Sequence, residues 1–175
     1  MEESVPIQYR QGEAAKLDAK DKKILHVLDK NARATIADIS EKTGIQRDSV
    51  LYRINRMKKN NVIRFFHTVL NPSLMGYEIY SFVDFVLFNL TPERENKLLA
   101  FLKTHPNVVY VAKTAGKWDF TTNIVARNLK EFDEILLQIR MKFADIIKEY
   151  EISPIIEEHK YDYMVELVKG SGKDW

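Results

Sequence analysis

Residues 35–59, TIADISEKTGIQRDSVLYRINRMKK, hold two helical patterns separated by a tight turn. The first begins at Thr35, an N-cap residue with Asp38 at the N3 position, and ends at Gly44, which suits a helix C-cap. The second runs from about Gln46 to Lys59. Two helices joined in this way predict a helix-turn-helix, whose second helix enters the major groove of DNA.

The second predicted helix has an apolar side and a basic side. Val50, Ile54 and Met57 recur at helical spacing and should pack inward. Arginine, asparagine and glutamine can read purine edges, whereas lysine and arginine can neutralise phosphates. The candidate DNA-contacting residues are Arg33, Gln46, Arg47, Ser49, Tyr52, Arg53, Asn55, Arg56, Lys58 and Lys59. The alternative is a three-helix bundle whose outer face is basic without binding DNA.

A third helix is predicted before this pair, with Asp18 as its N-cap and Asp21 at N3. The segment from Leu17 to Arg64 contains 12 Lys/Arg and 6 Asp/Glu, whereas the rest of the chain contains 15 basic and 19 acidic residues. This asymmetry favours a basic front that faces phosphate, although ordinary solvated helix surface would give a similar count.

Composition excludes several classes of protein. The 175 residues include no cysteine, so disulfides and thiolate metal sites are excluded, and we expect neither a metal nor a cofactor. No apolar run reaches membrane-spanning length, and the N-terminus lacks a signal-peptide core. We therefore expect a cytoplasmic protein without a membrane partner.

After residue 61 the pattern changes from helical to mixed. Residues 78–88 are apolar on both faces, so that strand needs two covers. In chain order the predicted elements are strand 62–70, strand 78–88, a helix from Thr91-Pro92, strand 108–114, turn 115–119, strand 120–126, a helix capped by Asn128 and Glu131, and a last strand within 148–161. Pro154 predicts that the last strand lies at an edge or bulge.

The order of these elements, β-α-β-β-α-β, is that of the ferredoxin-like fold. Its two helices cover only one face of the sheet, and the other face still has apolar side chains to bury. A second copy of the chain is the simplest cover, so the pattern predicts a dimer built sheet against sheet. Such a dimer would place two recognition helices about one DNA turn, ~34 Å, or a multiple of it, apart.

Four stretches are similar to signatures of one known family. LDAKDKKILHVLDKNAR resembles its first helix, TGIQRDSVLYRINRMKKNNVI its turn and recognition helix, LNPSLMGY its hinge, and TAGKWDFTTNIV its G-x-[YW]-D hairpin. The family is that of the leucine-responsive regulatory protein and the asparagine-operon regulator, Lrp/AsnC. The resemblance covers about residues 17–165.

The resemblance implies an α+β protein with an N-terminal winged helix-turn-helix and a C-terminal ferredoxin-like βαββαβ α/β-sandwich, the Lrp/AsnC regulatory domain. It implies a transcription regulator that binds double-stranded DNA as a homodimer or as a tetramer, octamer or larger assembly. The predicted segments are an N-terminal extension (1–16), the helix-turn-helix (17–61), a β-strand linker and hinge (62–76), the effector-binding and oligomerisation domain (77–168) and a tail (169–175).

The resemblance implies that amino acids or related small metabolites bind between dimers, near the G-x-[YW]-D turn. Carried over by position, the effector-binding residues would be Thr114, Gly116, Lys117, Trp118 and Asp119. Backbone N–H groups of such a turn suit a carboxylate, and carbonyls with an acidic side chain suit an ammonium. The alternative is a structural hairpin in which the aspartate accepts hydrogen bonds from nearby backbone groups.

The chain departs from the family pattern in three places. Gln46 stands where a Ser or Thr usually caps the recognition helix, which predicts a less firmly fixed first turn. Lys117 adds a cation beside the proposed effector turn and could favour an acidic ligand or point to solvent. Residues 1–16 have no counterpart in the common pattern.

Two other functions are compatible with the same fold. Siroheme decarboxylases resemble it, but they would need histidines gathered in one pocket, and here His26, His67, His105 and His159 lie in separate segments. An architectural protein that compacts DNA would differ from a regulator in specificity ratio rather than in fold. We therefore predict a non-enzymatic regulator.

Overall fold

The computed structural model describes residues 14–161 and 165–168, which divide into two compact units. Described residues up to Val69 and from Lys160 onward form the N-terminal unit, and Leu70–His159 form the C-terminal unit. Within these described ranges, no helix has both the length and the apolar character needed to span a bilayer.

Three helices build the N-terminal unit: α1 (Ala19–Lys30), α2 (Ile36–Thr43) and α3 (Arg47–Lys59). They enclose one apolar core, made of the predicted inward residues of α3 and of side chains from the other two helices. The fully or nearly fully buried members are Ile24, Leu28, Ile39, Ile45, Val50, Ile54 and Met57. The predicted three-helix arrangement is confirmed.

The helix ends follow the predicted capping residues. Asp18 and Asp21 form a reciprocal capping box on α1. Thr35 and Asp38 do the same on α2, which ends at Gly44 with φ +69°, a conformation that glycine adopts without a Cβ penalty. The N-cap of α3, Gln46, makes no side-chain capping bond, as the sequence predicted.

A short helix, α6 (Val165–Val168), also belongs to the N-terminal unit. Val165 is buried, and Glu166 lies 3.9 Å from the Nζ of Lys30 on α1. The sequence-based division placed these residues at the end of the C-terminal domain, whereas the structure packs them on α1. Sequence periodicity did not predict that this segment packs on α1, because a helix of four residues is too short to show a periodic pattern.

The predicted strand over residues 62–70 is not present in the structure. The backbone N–H groups of Val62 and Ile63 donate instead to the carbonyl of Met57, closing the C-terminus of α3 at 2.9 and 3.2 Å. Residues 64–70 are exposed and have no regular structure. A strand needs a neighbouring strand as well as β-forming side chains, and none in the described chain pairs with this segment. The described N-terminal unit likewise contains no strand that could form the expected wing.

The C-terminal unit has the predicted βαββαβ order. Its elements are β1 (Ile79–Leu87), α4 (Pro92–Thr104), β2 (Val108–Lys113), β3 (Phe120–Ala126), α5 (Leu129–Lys142) and β4 (Ile147–Pro154). The antiparallel sheet has the order β2-β3-β1-β4, so β4 with Pro154 is an edge strand as expected. A single 3₁₀ turn, Ser73–Met75, precedes β1 at the predicted hinge.

The two faces of this sheet differ. Helices α4 and α5 cover one face, where Val83, Phe85, Phe120 and Ile124 are completely buried. The opposite face, here called the open face, carries no helix of the described unit. Its side chains are Tyr80, Phe82, Asp84, Val86, Tyr110, Thr121, Asn123 and Val125.

Candidate nucleic-acid interface and effector turn

Helix α3 exposes part of its predicted DNA-contacting set. Arg47, Tyr52 and Asn55 are exposed along one side of the helix, and the side chain of Tyr52 is 64 % accessible. Gln46, Lys58 and Lys59 at the two ends of α3 are also exposed, as is Arg33 in the loop between α1 and α2. Arginine, asparagine and aromatic side chains can contact base edges, and flanking lysines suit phosphates.

Two arginines of the predicted set face α1 instead. The Nη1 of Arg53 lies 2.7 Å from Asp18 Oδ2 and 2.8 Å from Asp21 Oδ1, and its Nε donates to Ser49 at 3.3 Å. Arg56 donates through Nη2 to Asp21 Oδ2. The Arg53 side chain is only 15 % exposed. We call Asp18, Asp21, Arg53 and Arg56 the charge cluster.

The sequence pattern alone predicts DNA contacts for both arginines and only a capping role for the two aspartates. The sequence does contain a sign of this contact. The two aspartates are three residues apart, as are the two arginines, so each pair lies on one face of its helix. Which helix faces meet is decided by the packing of α1 on α3, which local patterns do not specify.

Within the charge cluster, the hydrogen bond from Arg53 and the bond from the backbone N–H of Asp21 lower the pKa of Asp18 from 3.8 to about 2. The same contacts with Asp18 raise the pKa of Arg53. Both shifts favour the charged forms of the two partners.

Because the pKa of Asp18 is lower in the folded chain, its ionised form stabilises the folded state above pH ~4, and this stabilisation is lost as pH falls toward ~2. The variant Asp18→Asn should therefore differ most from the natural chain in free energy of unfolding above pH 4 and least near pH 2. Urea unfolding across this range at low and high salt measures the difference. A gap independent of pH would contradict the assignment.

The predicted effector turn, residues 114–119, joins β2 to β3. The N–H of Thr114 donates to the carbonyl of Asp119 at 2.9 Å, and the Thr114 hydroxyl donates to the carbonyl of Trp118 at 2.5 Å. Asp119 also ties the turn to β1. Its N–H donates to the carbonyl of Phe85 at 2.9 Å, and its Oδ2 accepts from the N–H of Leu87 at 2.7 Å.

Lys117 and Gly116 form the tip of this turn. The Lys117 ammonium lies 3.9 Å from the ring centre of Trp118 and 3.5 Å from Glu151 Oε2 on β4. Gly116 has a φ angle of +155°, a backbone conformation that residues with a side chain rarely adopt. The five predicted effector residues are thus brought together, with the aspartate already engaged by the backbone of β1.

The four histidines remain in separate segments, on α1, in the linker, at the end of α4 and after β4. Over residues 14–161 and 165–168, no three His, Asp or Glu side chains gather into a possible metal site.

Comparison with known families agrees with this architecture. Residues 17–64 match the family model for winged helix-turn-helix DNA-binding domains, and residues 84–165 match that of the Lrp/AsnC ligand binding domain. The second match contains the effector turn and most of the sheet, and the first contains α1, α2 and α3.

Relatives show the same pairing of domains. The chain is 31 % identical over 120 residues to the HTH-type transcriptional regulator FL11 of Pyrococcus furiosus, covering 69 % of this chain and 78 % of that protein. An AsnC family transcriptional regulator from Agrobacterium tumefaciens superposes with a TM-score of 0.76 at 23 % identity, covering 83 % of this chain and 94 % of that chain. A transcriptional regulator from Neisseria meningitidis, solved as an L-Met complex, superposes with a TM-score of 0.78 at 19 % identity. The match covers 87 % of this chain and 99 % of that chain. The chain therefore belongs to the Lrp/AsnC family of DNA-binding transcription regulators.

Proposed function

We propose that this chain is a homodimeric or larger regulator whose DNA affinity or assembly is modulated by an amino acid or a related metabolite. The observation that carries the proposal is the exposed side of α3, where Arg47, Tyr52 and Asn55 lie together within a helix-turn-helix. Acting on DNA, the protein would work in the cytoplasm, as a binding protein and not as an enzyme.

For DNA contacts, we propose a division of labour among the basic and polar residues of this unit. Gln46, Arg47, Tyr52 and Asn55 would approach base edges because they are exposed on one side of α3. Arg33, Lys58 and Lys59 would contact phosphates. Ser49 would accept the hydrogen bond from Arg53 Nε and so help to position that arginine. Arg53 and Arg56 would act within the charge cluster and not at the DNA.

The open face of the sheet supports the proposed dimer. Phe82 remains 39 % exposed at the centre of β1, and Tyr110 on β2 is also exposed. Asn123, directly opposite Phe82 on β3, is 3 % exposed, yet its Oδ1 has no hydrogen-bond partner in the described chain. A second copy would cover Phe82 and Tyr110, whereas Asn123 is already shielded from solvent within its own chain. Tetramers or octamers would need further contacts between dimers.

The effector assignment rests on the turn 114–119 and on the L-Met complex of the Neisseria meningitidis protein. We propose that Thr114, Gly116, Lys117, Trp118 and Asp119 form the ligand-facing turn. Within it, Asp119 would hold the turn against β1, while backbone groups and the exposed Lys117 would meet the carboxylate of an amino acid.

Asp119→Ala should abolish the response to the effector while DNA binding is retained, because the turn loses its side-chain bond to Leu87. Asp119→Asn keeps a carbonyl oxygen for that bond and should respond within about fivefold of the natural chain, since a change of about 1 kcal/mol in one hydrogen bond corresponds to that factor. The DNA affinity of each variant is measured with and without the effector. A full response from Asp119→Ala would contradict the role of this residue.

The whole proposal is tested by selecting genomic DNA fragments with the purified protein and then titrating the best fragment against random DNA at fixed salt. We expect selective binding, and a panel of the twenty amino acids should change the affinity or the sedimentation coefficient with at least one member. Equal binding to all fragments would support DNA compaction over regulation. If no amino acid changes the affinity or the sedimentation coefficient, the proposal of an amino-acid effector is wrong.

A further inference from the structure

Asp21 is the one acidic residue of the described chain whose side chain is completely buried. Its carboxylate joins α1 to α3: Oδ1 accepts from Arg53 Nη1 at 2.8 Å, and Oδ2 accepts from Arg56 Nη2. Oδ2 also accepts from the backbone N–H of Asp18 at 3.1 Å. A residue that seals a helix end thus also carries two long-range ion pairs.

This burial is tolerated because the negative charge is compensated on every side. A buried carboxylate without partners would be strongly destabilising, whereas here two guanidinium groups and the positive N-terminal end of α1 surround it. Arg53 in turn shares its Nη1 between both aspartates. The charge cluster therefore links α1 to α3 through ion pairs.

The cluster has a direct consequence for DNA binding, since α3 is the helix that enters the groove. Guanidinium groups bind phosphate in the same planar, two-pronged way in which they bind carboxylate. Asp18 and Asp21 thus engage Nη1 of Arg53 and Nη2 of Arg56, two donors that would otherwise be available to phosphates. They also restrain the rotation of α3 about its axis, because the two arginines lie one turn apart on the same side.

We propose that Asp21 is a positioning residue for sequence discrimination in this regulator. It fixes α3 so that Arg47, Tyr52 and Asn55 face outward, and it withholds Arg53 and Arg56 from sequence-independent phosphate binding. Specific binding then depends on the exposed side of α3, and the non-specific component is kept low. The inference rests on the DNA-binding function of the family and on the outward assignment of α3.

The test compares Asp21→Asn with Asp38→Asn. Asp38 occupies the same N3 position of α2 and exchanges capping bonds with Thr35, but it is exposed. Both variants lose one negative charge and alter one capping box, so they differ in the arginine partners of Asp21. Each is titrated against the best fragment selected by the natural chain and against random DNA of the same length, over a series of salt concentrations.

For Asp21→Asn we expect random DNA to bind more tightly, and the ratio of specific to random affinity to fall at least ~10-fold. Two released arginines that reach phosphates would steepen the slope of log K against log salt on random DNA by about 1.8 per protomer, or about 3.6 for a dimer, since each phosphate contact contributes about 0.9. Asp38→Asn should keep both the ratio and the slope within about twofold of the natural chain. Asp21→Glu should recover part of the ratio because it retains a carboxylate.

Circular dichroism and thermal melting establish that each variant is folded. Should Asp21→Asn fail to fold, Asp18→Asn provides the second test, because Asp18 is largely exposed and its loss releases one side of Arg53. It should lower the ratio and steepen the slope by a smaller amount. A folded Asp21→Asn with unchanged ratio and slope overturns the inference, as does an unchanged Asp18→Asn where the first variant does not fold. A natural chain without preference for any fragment would instead count against the regulatory function.

Discussion

Replacing Phe82 by aspartate is expected to convert the proposed dimer into monomers. Phe82 lies at the centre of β1 on the open face, with Asn123 opposite it on β3 and Ser153 opposite it on β4. Sheet-against-sheet packing would bury this side chain in both copies. An unpaired carboxylate buried twice at a symmetric interface should weaken the dimer at least ~1000-fold, since each uncompensated buried charge costs several kcal/mol.

Sedimentation velocity over a wide range of protein concentrations measures this effect. Leu129→Asp is the matched control: it adds the same charge at an exposed apolar position, but on the first turn of α5, where aspartate is favoured by the helix dipole. It should leave the dimer unchanged. If the Phe82→Asp protein is still dimeric, the interface lies elsewhere on the chain. If the natural chain is monomeric at every concentration, the proposed dimer does not form.

Arg47→Ala should reduce specific DNA binding by at least ~30-fold, with a smaller effect on random DNA. Arg47 is exposed on the first turn of α3, where recognition helices contact base edges. An arginine that pairs bidentately with a base discriminates by roughly 1–3 kcal/mol, and a dimer would lose this pair in each half-site.

Lys58→Ala is the control on the same helix. As a proposed phosphate contact at the last turn of α3, Lys58 should affect specific and random DNA equally and lower the salt slope by about 1 per protomer, or about 2 for a dimer. Competition titrations of both variants against the selected fragment and random DNA separate the two behaviours. Equal losses on both DNAs for Arg47→Ala would make it a phosphate contact instead.

Most elements of this fold were predictable because their signals are local. The boundaries of α1, α2 and α4 follow from Asp18, Thr35 and Thr91, whose side chains accept the backbone N–H groups at each helix start. The split β-α-β-β-α-β order also followed from periodicity, since a change from 3.6 to 2 residues per repeat is readable without knowing any partner.

The linker shows where local signals were insufficient. Residues 62–70 have the composition of a strand, yet the first two backbone donors complete the end of α3 and the remaining residues are exposed. The β-forming side chains of this segment indicate only that its backbone can be extended. They do not indicate whether another strand lies alongside, and the hydrogen bonds of a sheet are formed only between segments.

The sequence by itself determined the helix-turn-helix, the order of helices and strands along the chain and the positions of the caps, because each depends on residues within a few positions of one another. Only the tertiary structure decided which cations of α3 face outward and that the carboxylate of Asp119 holds β1. Arg53 and Arg56 have the same local pattern as a DNA-reading arginine, but aspartates more than thirty residues away bind them. Long-range pairing of charges depends on how helices pack, and that packing is a property of the whole core.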